Sequence, residues 1–274
     1  MKPLPVEGHV PKSLLAPLRG KRVLITGSQG FSGRWMLETL QAADVGAEVL
    51  TIGRDEWSGF IPYFDYCAHC TTDGEGIGKI AEKAKRWGSR MLYLSSGAVY
   101  DRRINDAGDV VPLDGSVAED SPTMPTTSYG EMKLVHERVC RDVAVIARMF
   151  SFIGPGLRRH VGREFLEADP ITVRADGAVR SFLYGGDLAR WLWTLLLRGC
   201  VGECYNVGGS EGFNVWRFAE MCAIRRGVKV DVTESTRDGT YYVPNTTKAE
   251  DELGLLTMTR LPDAIERTLE WQKN

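Results

Sequence analysis

The sequence has little net charge and no long apolar run. Its 274 residues carry 34 Lys and Arg against 36 Asp and Glu, which gives a net charge of −2. No stretch combines Lys and Arg with interleaved aromatic residues, so we expect no nucleic-acid partner. No apolar run reaches the length that a membrane span or a secretory leader needs. We therefore expect a cytoplasmic protein without a membrane partner.

The six cysteines do not have the spacing of a metal site. Cys67 and Cys70 enclose two residues, as metal-binding and redox pairs do, but no second close pair has zinc-ribbon spacing. Cys67 also lies inside an apolar stretch that we interpret as a strand. These observations predict buried free thiols in a reducing compartment and no metal.

Three glycines spaced three apart follow an apolar, β-branched run at residues 22–26. Gly27 allows a tight turn, Gly30 lets a pyrophosphate approach the backbone, and Gly33 lets the following helix lie close to the strand. The N-terminus of that helix presents free N–H groups to phosphate. The pattern predicts the first βαβ unit of a dinucleotide-binding fold. The alternative is a glycine-rich connection without a ligand.

Strands alternate with helices along the rest of the chain, which predicts a Rossmann-type, right-handed, doubly wound parallel sheet of the α/β class. Only eleven residues separate Ile52 from Phe64, too few for a full crossover helix. The predicted strands are 22–26, 48–52, 64–69, 90–96 and 143–150. The predicted helices are 31–43, 79–87, 129–141, 187–198, 215–225 and 261–272, with a loop at 73–78 and an arm of undetermined role at 1–20.

Tyr129 and Lys133 stand four apart on a predicted helix that Ser128 can cap, so both side chains face one way. The ammonium group lowers the pKa of a nearby phenol. Such a tyrosine can exchange a proton with a sugar hydroxyl or ketone. Ser96, after the strand at residues 90–94, can hydrogen-bond the same oxygen.

Several motifs in this order resemble the extended short-chain dehydrogenases/reductases that modify nucleotide-activated sugars. The resemblance covers nearly the whole chain from Lys21. The matching segments are Thr26–Gly33, Phe64–His69, Leu94–Tyr100, Tyr129–Lys133, Ile153–Gly156, Arg180–Tyr184 and Tyr205–Gly209.

The resemblance implies an enzyme with a nicotinamide cofactor and a smaller C-terminal substrate-binding lobe. It assigns residues 21–150 and 181–212 to the dinucleotide-binding domain, and residues 151–180 and 213–274 to the lobe. Spacing to Tyr100 places Ser96, rather than Ser95, at the catalytic position beside Tyr129 and Lys133. Arg180 is expected to bind the substrate pyrophosphate, as is Ser96 to contact the sugar. The expected cofactor contacts are Gly27, Gln29, Gly30, Phe31, Gly33, Arg54, His69, Tyr129 and Lys133.

One departure from the family pattern narrows the reaction. The 4,6-dehydratases of this type carry an acid pair after the catalytic Ser or Thr, and this chain has Gly97 and Ala98 there. Neither residue can transfer a proton, so that dehydratase design is disfavoured.

We therefore expect an NAD(P)-dependent oxidoreductase that reduces the 4-keto group of a nucleotide-diphosphate deoxysugar. A 4-epimerase with the same residues is the nearest alternative, and a non-catalytic NADP-binding sensor or degenerate family member is the alternative from another class. Relatives often dimerise through the helix that begins at Tyr129. Val135 and Val139 fit either such a homodimer face or the core.

Arg54 follows the second predicted strand, where an acidic residue would accept a hydrogen bond from the NAD ribose. Its positive charge instead favours the 2′-phosphate of NADP. Arg54→Asp should shift the preference from NADPH towards NADH. Titration of the purified protein with both cofactors measures this, and an unchanged ratio of the two affinities would contradict the assignment.

Overall fold

A computed structural model describes residues 1–53, 60–71, 74–100, 116–158, 161–234 and 239–273. The helices are α1 Lys12–Leu15, α2 Phe31–Ala43, α3 Gly74–Trp87, α4 Ser128–Cys140, α5 Val161–Glu167, α6 Gly185–Arg198, α7 Val215–Arg226, α8 Thr247–Leu253 and α9 Leu261–Lys273. The strands are β1 Arg22–Thr26, β2 Glu48–Ile52, β3 Tyr66–His69, β4 Arg90–Ser96, β5 Ser116–Val117, β6 Ala144–Met149, β7 Phe152–Ile153, β8 Ile171–Arg174, β9 Val179–Arg180, β10 Leu183–Tyr184, β11 Cys204–Val207, β12 Phe213–Asn214, β13 Val230–Thr233 and β14 Tyr241–Pro244.

The main sheet has six parallel strands in the order β2-β1-β3-β4-β6-β11. The chain turns back at β1, which lies between β2 and β3. This reversal creates the crevice at the carboxyl ends of the strands where doubly wound sheets bind ligands. The predicted Rossmann-type α/β class is confirmed.

Successive strand residues point to opposite faces of the sheet, and each face has its own core. Leu92 and Leu94 of β4 pack with Met36 of α2 in the core on the α2 and α6 side. Met91 of the same strand packs with Ile80 of α3 on the opposite side. Buried residues on both faces explain why the strands are continuously apolar instead of alternating with polar residues.

Helix α3 begins at Gly74, whereas the prediction of a loop at 73–78 placed its start at Lys79. Ile77 is almost fully buried against the sheet with Ile80. Burial of this apolar side chain outweighs the low helix propensity of the three glycines in this turn. In the described part of the connection between Ile52 and Tyr66, no helix is present, as expected from its length.

A second core lies beside the sheet and joins α5, α7 and α9 with short strands. Phe165 and Phe218 pack edge to face within it, with ring centroids 5.3 Å apart. Two small parallel pairs, β7 with β10 and β8 with β13, and a mixed sheet in the order β12-β9-β14-β5 complete this region. The core also includes Trp35 of α2. The division into two domains at the predicted boundaries stays a prediction.

The N-terminal arm packs along the molecule and contacts both cores. Leu15 and Leu18 are fully buried against the main sheet, and Leu4 lies in the second core. The indole N–H of Trp271 in α9 donates to the carbonyl of Pro3 at 2.7 Å. The arm therefore connects α9 with the sheet side of the molecule.

The described cysteines are all free thiols: Cys67, Cys140, Cys204 and Cys222 are buried, Cys70 is half-buried and Cys200 is exposed. Across the described ranges, no cluster of three or more His, Cys, Asp or Glu is arranged to hold a metal. None of the helices found in those ranges is long and apolar enough to cross a bilayer.

A buried ion pair connects α4 to the centre of the sheet. The guanidinium of Arg148 on β6 donates to both carboxylate oxygens of Glu137, at 3.0 and 2.9 Å. Ser95 of β4 also donates to Glu137 at 2.5 Å, and Arg148 donates to the Tyr100 hydroxyl at 2.9 Å. Tyr100 in turn donates to Asn206 of β11 at 2.8 Å. Burial makes each of these groups depend on its partners.

Arg148→Met should destabilise the fold by about 3–5 kcal/mol, because it leaves the Glu137 carboxylate buried and unpaired. The matched control is Arg163→Met, which breaks the half-exposed Arg163–Glu167 pair on α5 and should cost at most about 0.5 kcal/mol. Urea denaturation of both variants measures the difference. Adding Glu137→Gln to Arg148→Met should recover part of the loss, and equal losses in the two single variants would contradict this account.

Candidate functional site

The glycine turn between β1 and α2 has the close backbone packing that its sequence predicts. Gly27 has φ +63°, a left-handed conformation that favours glycine. A Cβ on Gly33 would lie 2.4 Å from the Gly27 carbonyl oxygen, so α2 can pack this closely only with glycine there. No side chain caps the N-terminus of α2. Its first N–H groups are thus suited to a phosphate ligand.

A cavity of about 490 Å³ opens between this turn and the start of α4. It brings together the predicted cofactor contacts Gln29, Gly30 and Phe31 with the predicted catalytic residues Tyr129 and Lys133. Residues separated by a hundred positions in the sequence therefore share one cavity. Its other lining residues are Ser32, Cys70, Leu94, Ser95, Met149, Phe152, Leu157 and Arg158.

The start of α4 positions Tyr129 at the mouth of this cavity and Lys133 inside it. The side chain of Thr127, not of Ser128, caps the helix by accepting from the Gly130 N–H at 3.1 Å. The predicted cap was thus wrong by one residue. Ser128 is the first helical residue, and Thr127 has the extended backbone that a capping residue adopts. Tyr129 is 43% exposed, whereas Lys133 is 2% exposed.

Lys133 reaches into the sheet through a hydrogen bond and two aromatic rings. Its ammonium group donates to the Leu94 carbonyl at 2.6 Å and lies 4.8 Å from the ring centroid of Tyr93. It lies 5.9 Å from the ring centroid of Tyr129. Burial lowers the pKa of Lys133 to about 8, against the opposing influence of Cys70, Cys140 and Glu137. This lysine is positioned to exert its charge on Tyr129.

Two serines at the end of β4 have different partners. Ser96 is buried, and its hydroxyl accepts from the Ala98 N–H at 3.1 Å. Ser95 lines the cavity and donates to Glu137. The choice of Ser96 over Ser95 as the catalytic serine stays a prediction.

His69 lies beneath the glycine turn and is fully buried. Its Nδ1 is 3.1 Å from the Thr26 hydroxyl, and its ring stacks on Tyr93 with centroids 5.9 Å apart. Burial lowers the pKa of His69 to about 3, with smaller contributions from Lys133 and His136, so the imidazole is neutral at neutral pH. The next residue, Cys70, is the one that lines the cavity. The predicted cofactor contact at His69 remains a prediction.

Arg180 lies in a second cavity, of about 500 Å³, that shares no lining residue with the first. Its guanidinium donates to the Val179 carbonyl at 2.8 Å, and to both the hydroxyl, at 2.7 Å, and the carbonyl of Thr240. The predicted pyrophosphate ligand is therefore placed apart from Tyr129. Arg54 falls outside the described residues.

Sequence reasoning missed Cys70, Ser95, Glu137 and Arg158. One signal was available for Glu137, because it follows Lys133 by four positions and therefore shares its face of α4. The cavity contact of Arg158 depends on how the segment after β7 folds, and no spacing pattern announces it.

Residues 70–208, half of the chain, match the NAD dependent epimerase/dehydratase family. The chain belongs to this family. This membership confirms the resemblance found in the sequence and places the protein among enzymes that use a nicotinamide dinucleotide.

Among its relatives is a dTDP-glucose 4,6-dehydratase of Neisseria gonorrhoeae, 24% identical over 68% of this chain and 60% of the dehydratase. An uncharacterized UDP-glucose epimerase of Bacillus subtilis, YtcB, is 26% identical over 48% of this chain and 43% of its own length. The chain thus spans roughly half to three fifths of these curated relatives. The structure of a dTDP-glucose 4,6-dehydratase of Bacillus anthracis with NAD has the same fold, with TM-score 0.76, 16% identity, and coverage of 92% of this chain and 96% of that one.

The low pKa of Lys133 makes the stability of the protein depend on pH. Between pH of about 8 and 10.5 the unfolded chain retains the Lys133 proton that the folded chain has released. The contribution of Lys133 to the free energy of unfolding therefore rises with pH, by up to about 3 kcal/mol over this interval. Urea denaturation of the wild type and of Lys133→Met across the interval should show their difference moving in favour of the wild type. A difference that stays constant with pH would contradict the low pKa.

Proposed function

We propose that the protein is an NADP-dependent oxidoreductase that reduces the 4-keto group of a nucleotide-diphosphate deoxysugar. One observation carries the proposal: a single cavity joins the glycine turn to Tyr129 and Lys133. A dinucleotide phosphate site and a proton donor thus meet at the carboxyl ends of the strands.

The residues of the turn fit a dinucleotide. Side chains are absent at Gly30 and Gly33, where a Cβ would lie 3.2 and 2.4 Å from the Gly27 carbonyl. The uncapped N-terminus of α2 would hold the pyrophosphate, and Gln29 and Phe31 would line the adjoining part of the site. A bound reduced nicotinamide supplies the hydride. The preference for NADP is supported by Arg54 in the sequence.

Tyr129 donates the proton that completes the reduction. As the carbonyl carbon receives a hydride, its oxygen becomes negative and takes the phenolic proton, so the ketone becomes a hydroxyl group. Lys133 stabilises the resulting tyrosinate through its positive charge. Its own lowered pKa keeps it able to exchange protons near neutral pH. Ser96 would hydrogen-bond the reacting oxygen after its hydroxyl turns from the Ala98 N–H.

The second cavity suits the nucleotide diphosphate part of the substrate. Arg180 provides a guanidinium fork, which matches the oxygens of a pyrophosphate. The names of the relatives, dTDP-glucose 4,6-dehydratase and UDP-glucose epimerase, support a nucleotide sugar as substrate. A nucleotide sugar is long enough to extend from one cavity to the other.

A 4-epimerase is the second candidate, and the match to the Bacillus subtilis epimerase favours it. It would use the same Tyr129 and Lys133 but return the hydride to the sugar, with no net change in the cofactor. A 4,6-dehydratase of the acid-pair design is disfavoured despite the dehydratase relative, because Gly97 and Ala98 carry no acid group.

A homodimer through α4 stays part of the proposal. Val135 and Val139 are 52% and 49% exposed on this helix, so packing within the single chain leaves both accessible. Apolar side chains left accessible on one helix face suit contact with a second copy.

Tyr129→Phe should lower kcat by about 10²–10⁴-fold while the dissociation constant for NADPH stays the same, because only the proton donor is lost. The assay follows NADPH oxidation with a nucleoside-diphosphate 4-keto-6-deoxysugar. Tyr63→Phe is the matched control, since Tyr63 is 42% exposed and lies outside the cavity.

Retained turnover in Tyr129→Phe would refute the assignment of the proton donor. The same assay separates the two candidates for the reaction. A reductase consumes one NADPH for each product molecule, whereas an epimerase interconverts nucleotide sugars without net NADPH consumption.

A further inference from the structure

The space beside Gly97, the residue after Ser96, is filled by side chains from elsewhere in the fold. A Cβ on Gly97 would lie 2.7 Å from the hydroxyl oxygen of Tyr242 and 2.8 Å from the ring of Phe150. A side chain at position 97 therefore has no room unless these two rings move. The Tyr242 hydroxyl occupies the position into which a residue at 97 would project.

Tyr242 comes from β14, outside the main sheet, and is held there firmly. Its ring stacks on Phe150 with centroids 4.5 Å apart, and it is 9% exposed. Its hydroxyl donates to the carbonyl of Met149 at 3.3 Å. Met149 lines the cavity that contains Tyr129 and Lys133. The Tyr242 hydroxyl is thus fixed at the edge of the candidate active site.

The same ring also contacts the second cavity. The guanidinium carbon of Arg180 lies 5.7 Å from the Tyr242 ring centroid, within the range of a cation–π contact. Arg180 lines the cavity assigned to the nucleotide diphosphate. Tyr242 therefore touches residues of both cavities, although the cavities share no lining residue. A substrate bound at Arg180 and reacting at Tyr129 would pass along this ring.

We propose that Tyr242 is a positioning residue for the sugar, whose hydroxyl replaces the group that a side chain at position 97 would provide. The inference rests on the proposed function. The phenol donates to Met149 and retains lone pairs that can accept a hydrogen bond from a sugar hydroxyl. A phenol is a much weaker acid than a carboxyl group, so it orients the sugar without promoting elimination.

Binding measurements test this role without requiring turnover. Isothermal titration of the full chain with UDP-glucose and UDP, and with dTDP-glucose and dTDP, gives the contribution of the sugar to affinity. Tyr242→Phe should weaken binding of the better sugar nucleotide about tenfold, the effect of one lost hydrogen bond, and leave the affinity for its nucleoside diphosphate unchanged. Tyr241→Phe, the same change on the neighbouring residue of β14, is the matched control and should leave both unchanged.

The possible outcomes separate this inference from the proposed function. Tyr242→Phe keeps the ring that stacks on Phe150 and Arg180, so a purely structural role predicts equal effects on sugar nucleotide and diphosphate. Equal losses, or no loss at all, in a wild type that binds sugar nucleotides would overturn the role of Tyr242 alone. A wild type that binds none of the four compounds would overturn the proposed function, and with it any sugar for Tyr242 to position.

Discussion

The ion pair between Glu137 and Arg148 is the interaction on which the candidate site depends. Arg148 and Ser95 are register partners on the two central strands β6 and β4, and Glu137 binds both from α4. The helix that carries Tyr129 and Lys133 is therefore fixed to the strand ends beside which it must act. A buried carboxylate with these partners tolerates little displacement, because any shift leaves a charge without compensation.

Local patterns in the sequence were enough to predict the parts of the fold that local physics determines. The turn at Gly27 and the bounds of β1, α2 and β2 follow from backbone sterics and apolar periodicity within a few residues, and the structure reproduces them. The start of α3 was misjudged because burial of Ile77, a tertiary effect, overrides the glycines around it. The family pattern led to Tyr129 and Lys133, and the structure places them in one cavity.

The remaining contacts could not be predicted from one sequence, because their partners are distant along the chain. Tyr100 binds Asn206, 106 positions away, and the neighbour of Gly97 is Tyr242. Periodicity shows which face of a helix or strand a residue occupies, but it does not identify the residue that packs there. The glycine at position 97 is visible in the sequence, whereas the rings that fill its space emerge only from the folded chain.

The arm at the N-terminus has a consequence for the order in which the molecule is completed during synthesis. Pro3 accepts a hydrogen bond from Trp271, a contact that spans 268 positions. A ribosome releases the strands of the main sheet long before it releases α9, and domains generally begin to fold as they emerge. The nascent chain must therefore keep Leu4 and its neighbours undocked until the last helix arrives. The first residues translated are then among the last to reach their final contacts.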